Sequence, residues 1–199
     1  MSRATTIEDE LLVLCCQDGD ADAINMLVKR WQPRLWRHAR MLTGADDAAW
    51  DVIQESWMAI VNGLHKLLDA SQFRVWAFRI VTNKSADWIR RRVRQREVVK
   101  AAADQLPEQM SSGVENNSEL SERQRNLHAA LRSLKAEHRV VLTLYYLEEM
   151  SVAEIAAALA VPAGTVKSRL FHARNELKQV WLAKEPASTS NGGQKHDTL

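Results

Sequence analysis

The chain has 199 residues, with 27 Lys and Arg against 25 Asp and Glu and 46% apolar residues, a balance that excludes disordered, collagen-like and mucin-like classes. Seven Gly and four Pro, where average usage gives about 24 together, argue against a turn-rich sandwich or barrel. With long runs rich in Ala, Leu, Arg, Glu and Gln, the composition predicts an all-α protein of one domain or two small ones.

The N-terminus sets acidic residues before a short apolar run, the reverse of a secretory signal. A first helix follows, with Leu11, Leu14 and Cys15 predicted on one face. Adjacent Cys15 and Cys16 are too close for an ordinary disulfide and have no metal-ligand spacing, so they are read as small packing residues in a reducing compartment. A second helix begins with Ala23, Leu27 and Val28, and Gln32-Pro33 either kinks or restarts it, since proline removes a donor. Gly44 can end that helix and Asp46 or Asp47 can cap the next. The next helix carries Val52, Ile53, Trp57, Ile60 and Val61 and ends near Gly63. A loop from Leu64 to Gln72 precedes a long helix from about Phe73 through Arg96. No uncharged stretch reaches the roughly 18 residues of a membrane span, so no membrane insertion and a cytoplasmic location are expected.

From Asp104 to Leu120 the chain is acidic and polar, with Pro107 and Gly113 and no apolar period; it reads as a linker. A second helical block runs from Ser121 to about Ala183, and a polar tail follows. Its first helix carries Leu127, Leu131 and Leu134. Val140 to Leu147 has strand-like propensity, yet its apolar flanks and the lack of partner strands favour a helix. Ser151 and Glu154 form a capping box for the helix after them, and a further helix starts near Thr165 beyond Val161-Pro162-Ala163-Gly164.

The segment SVAEIAAALAVPAGTVKSRLFHARNELK has the pattern of a helix-turn-helix. Ile155, Ala156, Leu159, Val166 and Leu170 are spaced to close a core between two crossing helices. The outer face of the second helix offers Lys167, Ser168, Phe171, His172 and Arg174, groups that suit major-groove edges and phosphates. The bland alternative is a solvated amphipathic helix with incidental charges. In the first block, Arg90, Arg91, Arg92, Arg94 and Arg96 form a basic stripe. Phe73, Trp76 and Ile80 beside it have ordinary core spacing, so most aromatics there are assigned to packing and the arginines to phosphates.

Three stretches together resemble the extracytoplasmic-function group of bacterial sigma factors, in the sigma-70 family, over about Glu8 to Trp181. DDAAWDVIQESWMAIVNGL is similar to the family's region 2.2, FRVWAFRIVTNKSADWIRRR to regions 2.3 and 2.4, and LKAEHRVVLTLYYLEEMSVAEIAAALAVPAGTVKSRLFHARNEL to region 4. The chain departs from the pattern at Lys135, where a proline is usual, at Trp50, and at Asp87, where some relatives carry Asn.

The resemblance implies two small helical domains: region 2 over 7–99, a linker over 100–120, region 4 over 121–183 and a tail over 184–199. It implies a specificity subunit that binds core RNA polymerase and promoter DNA, with no catalytic residue, cofactor, metal or small-molecule substrate of its own. Asp51, Gln54 and Glu55, at i, i+3 and i+4, would meet a basic coiled coil of the polymerase. His65, Lys66, Asp69, Ser71 and Asn83 would read a flipped base of the −10 element, with Arg90, Arg91 and Arg94 on its backbone. Lys167, Ser168, Phe171 and His172 would face −35 bases, while Thr165, Arg169 and Arg174 hold phosphates. An anti-sigma factor is a further expected partner. A linker of about 20 to 25 residues spans up to about 85 Å, beyond the roughly 34 Å of one DNA turn.

Competing readings are a one-component regulator with a ligand-sensing first block, and an enzyme. Against the first stand the absence of a pocket-like pattern and a basic stripe where a dimer seam would be; against the second, no Gly-rich phosphate loop and scattered His.

Overall fold

In the computed structural model, residues 3–102 and 122–184 are described, and they form eight α-helices with no strand among them. They are α1 (Arg3–Gln17), α2 (Ala21–Thr43), α3 (Asp46–Gly63), α4 (Phe73–Ala102), α5 (Glu122–Ser133), α6 (Ala136–Leu142), α7 (Val152–Leu159) and α8 (Ala163–Lys184). Two one-turn 3-10 helices, Leu64–Lys66 and Ala70–Gln72, lie between α3 and α4, and α6 continues into a π-helical stretch, Thr143–Leu147. Val140 to Leu147 is therefore helical, as its flanks predicted. The linker and tail assigned to 100–120 and 184–199 lie outside the described residues, apart from 100–102 at the end of α4 and Lys184.

Helices α1 to α4 form one bundle and α5 to α8 another, and the two pack against each other through α4 with α7 and α2 with α6, so that their buried residues are continuous. In the first, Trp31 meets Phe73 and Phe78 edge-on, with ring centroids 5.3 and 6.3 Å apart, and all three are buried. In the second, Ile155, Val166 and Leu170 are buried between α7 and α8, and Ala156 and Leu159 are partly so. This is the small helix-turn-helix core that the spacing predicted. The capping box is present: Ser151 Oγ accepts from the Glu154 amide at 3.2 Å, and Glu154 Oε2 accepts from the Ser151 amide at 2.8 Å.

Several local expectations need correction. On α1 the residues that pack are Val13 and Cys16, with Asp9 one turn earlier, whereas Leu11, Leu14 and Cys15 are exposed. The short apolar run left its buried side ambiguous. The tie is decided by Trp31 of α2, whose Nε1 donates to Asp9 Oδ1 at 3.2 Å. Pro33 does not restart the helix: α2 is continuous through it. Gly44 ends α2 in the left-handed region at φ 81°, as predicted, but no Asp caps α3. Ala45 holds the cap position, and Asp46 in the first turn is paired with Arg40 instead. Val61 and Leu127 are exposed, and α8 starts at Ala163, before Thr165.

His38 is fully buried in the first bundle. Thr82 Oγ1 donates its one hydrogen to the Phe78 carbonyl at 2.8 Å, so His38 Nε2, 3.0 Å away, must donate to Thr82. His38 Nδ1 has no partner, and a proton there would be buried and unpaired. Burial accordingly lowers the imidazole pKa to about 3. A depressed histidine stabilises the fold fully above its unfolded pKa near 6.5, and that contribution is lost as pH falls toward 3. Urea unfolding should show a His38-dependent loss of about 1.4 kcal/mol per pH unit below 6.5. The check is the difference between wild type and His38→Gln from pH 7.5 to 5; parallel pH dependences would contradict it.

Candidate polymerase and nucleic-acid interfaces

On α3, Asp51 and Gln54 are exposed and share one helical face with Asp47, Trp50, Met58 and Val61. The face thus mixes carboxylates with apolar groups. Trp50 is half exposed and leans on Trp36, with centroids 5.8 Å apart. Motif reading singled out the acids and missed Trp50 and Met58 as members of the same surface. Glu55 differs from Asp51 and Gln54. Its carboxylate bonds Arg91 at 2.9 Å and Lys84 at 3.4 Å, both on α4. The Arg91 hydrogen bond, with Arg91 and Lys84 charge behind it, holds the Glu55 carboxyl below the usual carboxylate range.

The segment between α3 and α4 is fixed at both ends. Gln17 Nε2 of α1 donates to the carbonyls of Leu64 and Leu67 at 2.8 and 2.7 Å. Asp69 accepts from the Ser71 amide at 2.9 Å and from its hydroxyl at 2.6 Å, an Asx-type turn that lowers the Asp69 pKa. Asp69 and Ser71 are therefore each other's partners, while His65 and Lys66 are exposed and Leu68 stands fully exposed at the tip. Asn83, Arg90 and Arg94 are exposed along α4; Arg90 pairs with Asp87, and Arg92 lies over Trp88 at 5.2 Å. Loop and basic stripe lie at opposite ends of α4: the loop leads into Phe73, whereas Arg92 and Arg96 border Gly44 and Asp47 at the start of α3.

On α8, Lys167, Ser168, Phe171, His172 and Arg174 are exposed together, with Phe171 61% accessible. Thr165 is half-buried, and its amide donates to the Pro162 carbonyl at 2.9 Å. Arg169 sits lower on the helix and bonds Glu137 at 2.9 Å. Arg174 Nε donates to the Tyr146 hydroxyl at 2.9 Å, and its guanidinium lies over both Tyr145 and Tyr146. Two tyrosines so orient this cation, an arrangement the linear sequence does not reveal. His172 stacks on His138, whose Nδ1 contacts Glu176 at 2.5 Å and holds that carboxyl below its ordinary range.

A polar cluster also joins the two bundles. Glu148, at the end of the π-helical stretch, is buried and bonds Arg34 of α2 through Nε and Nη2 at 3.1 and 2.9 Å. Burial pushes its carboxyl up, against the pull of Arg34, Arg37 and Arg74. Among the described residues no group of His, Cys, Asp and Glu is placed to hold a metal ion, and no helix is long and apolar enough to cross a membrane.

Comparison with known proteins agrees with this layout. Residues 27–95 match Sigma-70 region 2, and residues 124–177 match Sigma-70, region 4. The ECF RNA polymerase sigma-E factors of Salmonella typhimurium and of Escherichia coli K12 are each 30% identical over 178 residues, covering 86% of this chain and 93% of theirs. SigE of Mycolicibacterium smegmatis is 33% identical over 167 residues, which cover 82% of this chain and 63% of that protein. Among solved structures, CnrH in complex with the cytosolic domain of CnrY superposes with a TM-score of 0.65 at 26% identity, covering 89% of this chain and 99% of that one. The fold is shared too with the sigma factor RpoE of Bartonella quintana bound to the anti-sigma factor NepR, at a TM-score of 0.67, 24% identity and coverages of 81% and 98%. With two sigma modules in the family's order on one all-α chain, the protein belongs to the extracytoplasmic-function group of the sigma-70 family.

Proposed function

We propose that this chain is the specificity subunit of a bacterial RNA polymerase, without catalysis of its own, acting in the cytoplasm and divided as region 2 over 7–99 and region 4 over 121–183. The observation that carries the reading is the coexistence of three separate exposed faces with complementary chemistry: acidic–apolar on α3, basic along the C-terminal half of α4, basic–aromatic on α8.

Asp51 and Gln54, with Trp50 and Met58, form the surface for a basic polymerase element. Glu55 joins them by exchanging Arg91 and Lys84 for a polymerase cation, and the exchange releases both for DNA phosphates. The rigid loop offers His65, Lys66, Asp69 and Ser71 to an extruded −10 base, with Asn83 at its edge and Arg90, Arg91 and Arg94 on the strand. By extension from CnrH, which is held by the cytosolic domain of CnrY, a protein inhibitor of anti-sigma type is a further partner.

On α8, Lys167, Ser168, Phe171 and His172 read −35 base edges, and Thr165, Arg169 and Arg174 hold the backbone, Arg169 by leaving Glu137. One good base contact is worth about 1–3 kcal/mol of discrimination. Lys167→Ala should therefore relax promoter choice at one position. Arg174→Ala should weaken binding evenly across sequences and flatten its salt dependence by about one phosphate contact. Transcription by reconstituted polymerase from a panel of −35 point variants measures both, and equal losses at every sequence for Lys167→Ala would refute the base-reading role.

A further inference from the structure

Glu148 has 0% side-chain exposure, and the cations that face it all belong to the other bundle. Arg34 meets Oε2 at 2.9 Å, Arg37 approaches Oε1 at 3.7 Å, and Arg74 donates to the Glu148 backbone carbonyl. Arg74 reaches on to Glu154 of α7 at 3.5 Å, and Arg139 of α6 donates to the Leu42 carbonyl of α2 at 3.3 Å. Arg34 is preset for the contact, its guanidinium lying 4.6 Å over the Trp31 ring.

A carboxylate leaves water only where fixed cations replace its hydration. With its cations supplied by α2 and α4, Glu148 has that replacement only while the bundles are docked. A closed docking has consequences for the proposed faces. Asp51 lines one side of a cleft of about 660 Å³ whose other side carries Ala129 and Arg132 of α5. Ser71 of the pinned loop shares a smaller cleft with Glu154 of α7. Both faces of region 2 thus border region 4.

We propose that Glu148, seated among Arg34, Arg37 and Arg74, latches regions 2 and 4 into a closed resting form that must open before polymerase and two separated promoter elements are engaged. The inference rests on the sigma-factor reading above. Opening exposes three arginines whose charges then favour the separated state, or an anionic surface in place of Glu148. If the closed form holds about nine-tenths of the free protein, removing the latch raises apparent polymerase affinity by up to about tenfold.

The test uses the full chain as wild type, Glu148→Gln and Arg34→Ala/Arg74→Ala, which release the contact from opposite sides. Small-angle X-ray scattering should give a larger radius of gyration for both variants, with the helical circular-dichroism signal retained, and titration with core polymerase should show tighter binding. An unchanged radius and unchanged affinity in both variants would overturn the latch, as would a loss of helicity in both that shows the cluster to be an ordinary folding contact. Failure of wild type and both variants alike to bind polymerase, while both variants still expand, would overturn the sigma reading and leave the latch standing.

Discussion

Asp51→Ala/Glu55→Arg should abolish co-elution with core RNA polymerase on size exclusion while the isolated protein keeps its helical content. Truncating one partner of a charge pair desolvated by an interface costs about 2–5 kcal/mol. Two such losses weaken the complex by about a thousandfold or more. The structure refines how the variant acts. Asp51 is exposed, so its removal subtracts from the partner surface alone. Glu55 already holds Arg91 and Lys84, so an arginine there sets three cations together and pushes α3 from α4. Asp51→Ala/Gln54→Ala therefore serves as the companion variant, since it leaves the Glu55 cluster untouched and should still weaken association clearly. Wild-type protein that passes through the column alone, with its fold intact, would overturn the polymerase-binding role. Retention of the complex by both double variants would move the contact elsewhere.

Phe78→Ala should destabilise region 2 by about 3–5 kcal/mol in urea unfolding. Phe78 is fully buried, packs edge-on against Trp31 and His38, and lends its carbonyl to Thr82. Removing the ring leaves a cavity bounded by those aromatics, and none of them can swing in without breaking its own contacts. A change below about 1 kcal/mol would mean that the site collapses freely and that the aromatic cluster is not the keystone of this bundle.

How far the sequence could be read follows from which interactions are local. The all-α class, the helix-turn-helix, the Ser151 capping box and the outward face of α8 depend on periods and caps within a few residues, and all were readable before any coordinates. The three motif stretches were readable for the same reason, and they located Asp51, Gln54, Lys167 and Phe171 on surfaces where each is exposed.

Tertiary packing decided the rest. It chose Val13 and Cys16 over Leu11, Leu14 and Cys15 as the buried side of α1, because a short apolar run is nearly symmetric until Trp31 supplies a partner for Asp9. It gave Glu55 to Arg91, Arg169 to Glu137 and Arg174 to two tyrosines, pairings in which one charged side chain has many possible mates along the chain. It also buried Glu148 against Arg34, 114 positions away. By its letters Glu148 is one of a pair of acids before Met150, with nothing to distinguish it from a solvated charge. Periodicity specifies which face of a helix is apolar; only the meeting of two faces specifies which charges lose water together, and that meeting is a property of the folded chain.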